Sequence, residues 1–137
     1  MNGVKIIELP KIEDPRGNLT FFEDDNQIPF KIERVFWTYD VPGGQKRGGH
    51  AYYRQNELII ALSGSFDVVI TRPDGKEEVI SLNRSYNGLF VPARTWRHLE
   101  NFSTNALSLH ASDTIYDQSD YIRKFEKYVR IHEEQRI

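Results

Sequence analysis

The chain has no cysteine and one methionine in its 137 residues. Without cysteine there are no disulfide staples, no thiol nucleophile and no thiolate-based zinc or iron–sulfur site. Long apolar runs are also missing. No stretch is long enough to span a bilayer as a helix, and Met1-Asn-Gly-Val-Lys-Ile-Ile-Glu lacks the apolar centre of a signal peptide, so a cytoplasmic protein with no membrane contact is expected. Nor does charge of one sign accumulate: 18 Lys and Arg face 20 Asp and Glu, a formal net charge of −2. No global field therefore recruits nucleic acid. Core formers are not lacking, at 39% hydrophobic and 12% aromatic residues, and 28% charged residues fit a globular chain. The length suits one domain, 1–137.

Short apolar alternations recur between Gly, Pro, Asn and Asp, the pattern of an all-β sandwich or barrel. Strands are predicted at Val4–Leu9, Asn18–Glu23, Ile32–Tyr39, Gly49–Arg54, Glu57–Ser63, Phe66–Thr71, Glu77–Leu82, Gly88–Val91, Thr95–Asn101 and Ala106–Ala111. Phe66, Val68 and Ile70 alternate with Asp67, Val69 and Thr71, as a pleated strand requires. Pro73-Asp74-Gly75 predicts a hairpin turn, because proline presets one bend and glycine accepts the positive φ that follows. From Ser119 to Ile131 the spacing predicts a helix capped by Ser119 or Asp117. Ile122, Phe125 and Val129 would share its buried face, flanked by Tyr121 and Tyr128.

The most informative segment runs from Gly44 through His50, Tyr52 and Glu57 to Gly64. It has the spacing G-x5-H-x-H-x4-E-x6-G of the first cupin motif, with Tyr52 in place of the second histidine. Cupin metal enzymes use that set with one more histidine from a second motif. Here the second motif is Val91-Pro92-Ala-Arg94-Thr-Trp96-Arg97-His98-Leu-Glu-Asn101, in which Arg97 fills the histidine slot. His98 falls one position late, and a one-residue slip turns a strand side chain to the opposite face. A guanidinium has no lone pair to offer and repels a cation, while His50 and Glu57 alone are too few ligands for zinc or iron. The expectation is a pocket with no metal and no cofactor.

An imidazole, a phenol and a guanidinium suit proton abstraction beside a carbonyl. Histidine takes and returns a proton near neutral pH, and tyrosine or arginine donates hydrogen bonds to a developing enolate oxygen. Arg16, Arg34, Arg47, Arg54, Arg94 and Arg97 lie near these motifs in a chain of net negative charge. That clustering points to an anionic ligand, since arginine matches phosphate bidentately. Trp37, Tyr39, Tyr86 and Trp96 offer an aromatic platform for a base or sugar ring.

Several segments resemble the dTDP-sugar 3,4-ketoisomerases, the WxcM-like group of the RmlC-like cupins. They are Asp14-Pro-Arg16-Gly-Asn-Leu, Arg34-Val-Phe, Arg47-Gly-Gly-His50-Ala, Leu62-Ser-Gly-Ser-Phe, Val91-Pro-Ala-Arg-Thr-Trp-Arg and Tyr116-Asp117-x-x-Asp120-Tyr121-Ile-Arg. The resemblance implies a cupin jelly roll, a double-stranded β-helix with a short C-terminal helix, forming a homodimer that often exchanges strands. It implies a metal-independent isomerase acting on a dTDP-linked 4-keto-6-deoxyhexose, moving the ketone from C4 to C3 through an enediolate in deoxyamino-sugar biosynthesis. On this reading His50, Tyr52 and Arg97 are catalytic and Arg16, Arg47, Glu57 and Trp96 bind substrate, the two arginines at the diphosphate. The ketoisomerases usually keep both histidines, so Tyr52 is a departure. A non-catalytic cupin that binds a nucleotide sugar or partner enzyme, and a metal-dependent cupin enzyme, are the alternative readings.

Overall fold

The computed structural model describes residues 3–134. Twelve strands and one helix are found among them: β1 (Lys5–Glu8), β2 (Lys11–Ile12), β3 (Leu19–Thr20), β4 (Arg34–Thr38), β5 (Arg47–Tyr52), β6 (Glu57–Ser63), β7 (Phe66–Thr71), β8 (Glu77–Leu82), β9 (Asn87–Val91), β10 (Trp96–Glu100), β11 (Leu107–Ser112), β12 (Tyr121–Ile122) and α1 (Phe125–Glu134). Two five-stranded sheets, ordered β1-β9-β6-β11-β4 and β12-β5-β10-β7-β8, form an all-β cupin jelly roll, and β2 and β3 pair separately. The helix closes the described chain at the C-terminal side.

Alternation explains the core. Phe66, Val68 and Ile70 on β7 meet Ile59 and Ala61 on β6, Leu89 and Val91 on β9, and Leu99 on β10. Each of these side chains other than the small Ala61 contributes about 1.5–3 kcal/mol on burial. β6 is apolar on both faces because Leu58 and Ile60 point outward, beneath Leu9, Ile28 and Phe30 from the segment that precedes β4. The β7–β8 hairpin turns at Pro73-Asp74-Gly75, where Gly75 adopts φ +89° and donates to the Arg72 carbonyl at 2.9 Å.

The C-terminal segment departs from its periodicity. Its helix starts at Phe125, six residues after Ser119, and Tyr121–Ile122 is a strand that pairs with Tyr52 and Ala51. Asp117 caps only a short 3-10 turn, accepting from the Ser119 backbone N–H. The physical reason is the buried Asp120. Its carboxylate accepts the Arg54 and Gln55 backbone N–H groups at 2.9 and 3.1 Å, and its carbonyl accepts the Tyr53 N–H at 2.9 Å. Three bonds across more than sixty residues of sequence outweigh local helix propensity, which is a weak preference. Tyr128 is the buried residue of α1, and its hydroxyl donates to the Thr71 carbonyl at 2.8 Å. No helix among the described residues is long and apolar enough to cross a membrane.

Candidate active site

β5 carries His50 and Tyr52 on its inner face, while Ala51 between them packs against Ile122 and Tyr128. His50 lies opposite Arg97 of β10, but Arg47 lies opposite Leu99, so β5 has one residue more than β10 over that interval. The extra residue forms a bulge at Gly48-Gly49, and Gly48 supplies the positive φ of +75° that such bulges demand. Glu57 enters from β6, His110 from β11, Phe36 from β4 and Tyr121 from β12. Together with Arg47 and Arg123 they line a cavity of about 430 Å³ between the sheets.

Arg97 and Glu57 form an ion pair, each side chain 2% exposed. The second carboxylate oxygen of Glu57 accepts from Gln55 Nε2 at 3.1 Å. Arg97 Nη1 donates to the Thr95 carbonyl at 3.3 Å, and its Cζ stands 4.6 Å from the Tyr52 ring centroid. The rings of His50, Tyr52 and Tyr121 form a triangle with centroid separations of 4.7–5.0 Å. Arg123 lies over Tyr121 at 4.4 Å.

This environment sets the protonation states. Burial, and then the Arg97 charge, push His50 down to about 3, so the imidazole is neutral at physiological pH. Burial and the Glu57 carboxylate push the Tyr52 phenol up, which keeps it a protonated donor. Burial alone would raise the Glu57 carboxyl, but the charge of Arg97 and the nearby His110 overcome it and hold the group at about 2. The cavity thus holds a neutral base, a neutral donor and a cation fixed to an anion.

Of the residues singled out by sequence, His50, Tyr52, Glu57, Arg47 and Arg97 line this one cavity. Arg16 does not: it stands exposed before β3, in an ion pair with Asp14 at 3.0 Å. Trp96 does not either. As the neighbour of Arg97 on a strand it faces the other way, with its ring 5.4 Å from Phe125 and 5.8 Å from Tyr128. His98 is also turned away and bonds Glu100 at 2.6 Å. Arg54 pairs with Asp117 and Asp120, and Arg34 donates to Gln55 Oε1 at 2.7 Å. Sequence reasoning missed Phe36, His110, Tyr121 and Arg123. Ser108 and His110 share one face of a predicted strand, so period-two reading could have flagged the histidine; Tyr121 was hidden by its helical spacing.

Among the described residues no three His, Cys, Asp or Glu side chains cluster closely enough to hold a metal ion. The donor set does not fit the metal of cupin enzymes, because the guanidinium of Arg97 is already paired with Glu57 and offers no lone pair.

A family model described as FdtA: WxcM-like, C-terminal matches residues 2–133. The chain belongs to this family. The WxcM-like match covers every strand that lines the cavity. TDP-4-oxo-6-deoxy-alpha-D-glucose-3,4-oxoisomerase of Aneurinibacillus thermoaerophilus is 32% identical over 124 residues, 90% of this chain and 88% of that one. A histidine-to-asparagine mutant of the 3,4-ketoisomerase QdtA from Thermoanaerobacterium thermosaccharolyticum, in complex with TDP-4-keto-6-deoxyglucose, superposes with a TM-score of 0.95 at 30% identity, covering 98% of this chain and 97% of that one. The WlaRB TDP-quinovose 3,4-ketoisomerase of Campylobacter jejuni gives 0.89 at 34% identity over 95% and 99% of the two chains.

Proposed function

We propose that this protein is an enzyme, a TDP-sugar 3,4-ketoisomerase of deoxy-sugar biosynthesis that moves the ketone of a TDP-4-keto-6-deoxyhexose from C4 to C3. One observation carries the reading: a neutral imidazole, a protonated phenol and a fixed guanidinium converge on one cavity, in a chain whose relatives are named for this reaction. Its volume lies within the about 300–1,000 Å³ typical of small-molecule sites.

The neutral His50 takes the proton from C3. The C–H electron pair forms the C3–C4 double bond, and the C4 carbonyl oxygen becomes the enediolate oxygen. Arg97 and the Tyr52 hydroxyl donate to that oxygen, where a preorganised donor is worth most. The Tyr52 hydroxyl relays the O3 proton to O4. C4 then takes a proton from the His50 imidazolium, and the C3–O bond becomes the ketone. The face on which C4 is protonated decides the gluco or galacto product.

A groove of about 450 Å³ lined by Trp37, Tyr39 and Arg47 shares Trp37, Thr38 and Arg47 with the cavity. It takes the nucleotide, with Arg47 at the junction for the diphosphate. The functional unit is a homodimer, supported by the exposed Val35 on β4, an edge strand with one side left unpaired in its sheet. Arg16, outside the cavity of its own protomer, serves substrate across that interface. Sedimentation finding only a monomer at assay concentrations would remove the dimer.

The decisive assay supplies TDP-4-keto-6-deoxyglucose in D2O and follows solvent deuterium at C3 and C4 by NMR. Wild type is expected to incorporate deuterium and form the 3-keto sugar; His50→Asn is expected to do neither while still binding TDP. Absence of exchange with the wild type, despite binding, would favour a non-catalytic nucleotide-sugar binder.

A further inference from the structure

Position 52 carries no imidazole, yet the cavity has two. His110 enters from β11, on the sheet that faces His50. It is 6% exposed and stacks on Phe36 with centroids 4.6 Å apart and planes within 8°. Its Nε2 is 3.0 Å from Ser108 Oγ. Its Nδ1 is buried without a hydrogen-bond partner and lies 3.7 Å from Glu57 Oε2. A nitrogen lone pair facing a carboxylate oxygen is repelled, whereas an N–H is attracted. The tautomer is therefore Nδ1–H toward Glu57, with the Ser108 hydroxyl donating to Nε2.

Glu57 spends Oε1 on Arg97 and Oε2 on Gln55. The imidazole N–H thus attracts the oxygen that Arg97 does not use. Constraint of that oxygen fixes the carboxylate plane, and the carboxylate plane fixes the guanidinium bonded to it.

We propose that His110 is a positioning residue: the Ser108–His110–Glu57 chain holds the Arg97 guanidinium in the orientation from which it donates to the enediolate. The kinetic consequence rests on the ketoisomerase reading. The bracing itself does not.

Three substitutions separate bracing from packing. His110→Asn can place an amide N–H near the site of Nδ1; His110→Gln reaches toward Nε2; His110→Phe keeps the stack on Phe36 and has no nitrogen. Misplacement of a catalytic group by about 1 Å costs on the order of 100-fold. The expected result is a kcat loss of about 10- to 100-fold in the Phe and Gln variants with KM nearly unchanged, and near-wild-type kcat in the Asn variant. Arginine-selective 15N NMR reads the brace without turnover. Separate Arg97 Nη signals are expected in wild type and His110→Asn, and averaged ones in His110→Phe. Wild-type kcat with separate Nη signals in His110→Phe overturns the proposal. Equal kcat losses in all three variants that track their loss of thermal stability also overturn it, assigning His110 to packing. If the wild type fails to turn over the keto sugar, the ketoisomerase reading falls, and the Nη signals still decide the brace.

Discussion

Replacing Glu57 by glutamine removes one charge from a pair that lies wholly inside the protein and leaves the guanidinium of Arg97 with no counter-ion. Breaking a buried pair from one side costs about 3–5 kcal/mol, because the remaining charge is neither solvated nor paired. The protonation equilibrium gives a similar figure. Glu57 falls from an ordinary 4.5 to about 2, and a shift of that size corresponds to about 3 kcal/mol of preference for the ionised form in the folded state. A loss of this size is a large part of the ~5–15 kcal/mol that stabilises a typical domain, and in a chain of this length it lowers Tm by about 10–15 °C. The pH dependence has a definite sign. A carboxyl whose folded pKa is depressed contributes stability above its unfolded value, near 4.5, and loses that contribution as pH falls toward about 2. Urea unfolding of wild type and Glu57→Gln, followed by tryptophan fluorescence, should show a wide gap at pH 7 that narrows below pH 4.5. Adding Arg97→Met should recover most of the loss, since an apolar side chain needs no counter-charge. A Glu57→Gln cost below about 1 kcal/mol at pH 7, with no narrowing in acid, would refute the account of this pair.

Other expectations follow from the same geometry. Because His50 is held near 3 in the free protein, kcat/KM should be flat on its acid side from pH 8 down to 5; an acid limb near 6.5 would mean that the imidazole is not desolvated as the cavity suggests. Tyr52→Phe removes the phenolic donor but keeps the ring over which Arg97 stands, so kcat should fall by about 10²–10⁴-fold with TDP affinity retained; unchanged kcat would take Tyr52 out of the chemistry. Asp120→Ala strips two backbone N–H groups of their acceptor and should cost about 2–4 kcal/mol in chemical denaturation. The same variant frees Tyr121 from the cavity wall and should weaken keto-sugar binding, measurable by calorimetry.

Much of the fold was legible because it is built from local alternation. β6, β7 and β8 have the predicted boundaries, since Phe66, Val68 and Ile70 repeat with the pleat and Pro73-Asp74-Gly75 sets the turn. The inward direction of Arg97 and the outward one of His98 followed from counting along the second motif, because one residue reverses a strand face. The C-terminus was not legible in this way. Residues from Ser119 to Phe125 have helical spacing, and only Asp120 bonding the chain after β5 makes Tyr121–Ile122 a strand. Trp96 was expected beside substrate and instead supports α1, which period two alone implies once Arg97 faces inward.

The sequence by itself determined the jelly roll, the placement of His50, Tyr52 and Glu57 at cupin spacing, and the substitution of Arg97 for a ligand. These depend on which residue follows which, and strand geometry turns that order directly into faces. Only the tertiary structure decided that Arg97 is neutralised by Glu57, that a second imidazole arrives from β11, that Tyr121 completes the wall and that Arg16 stands outside it. The first three facts join residues far apart in the chain. They were settled by the matching of buried charges and hydrogen-bonding groups brought together from separate strands, and no local pattern encodes such matching; Arg16 stays outside, exposed and paired with its near neighbour Asp14.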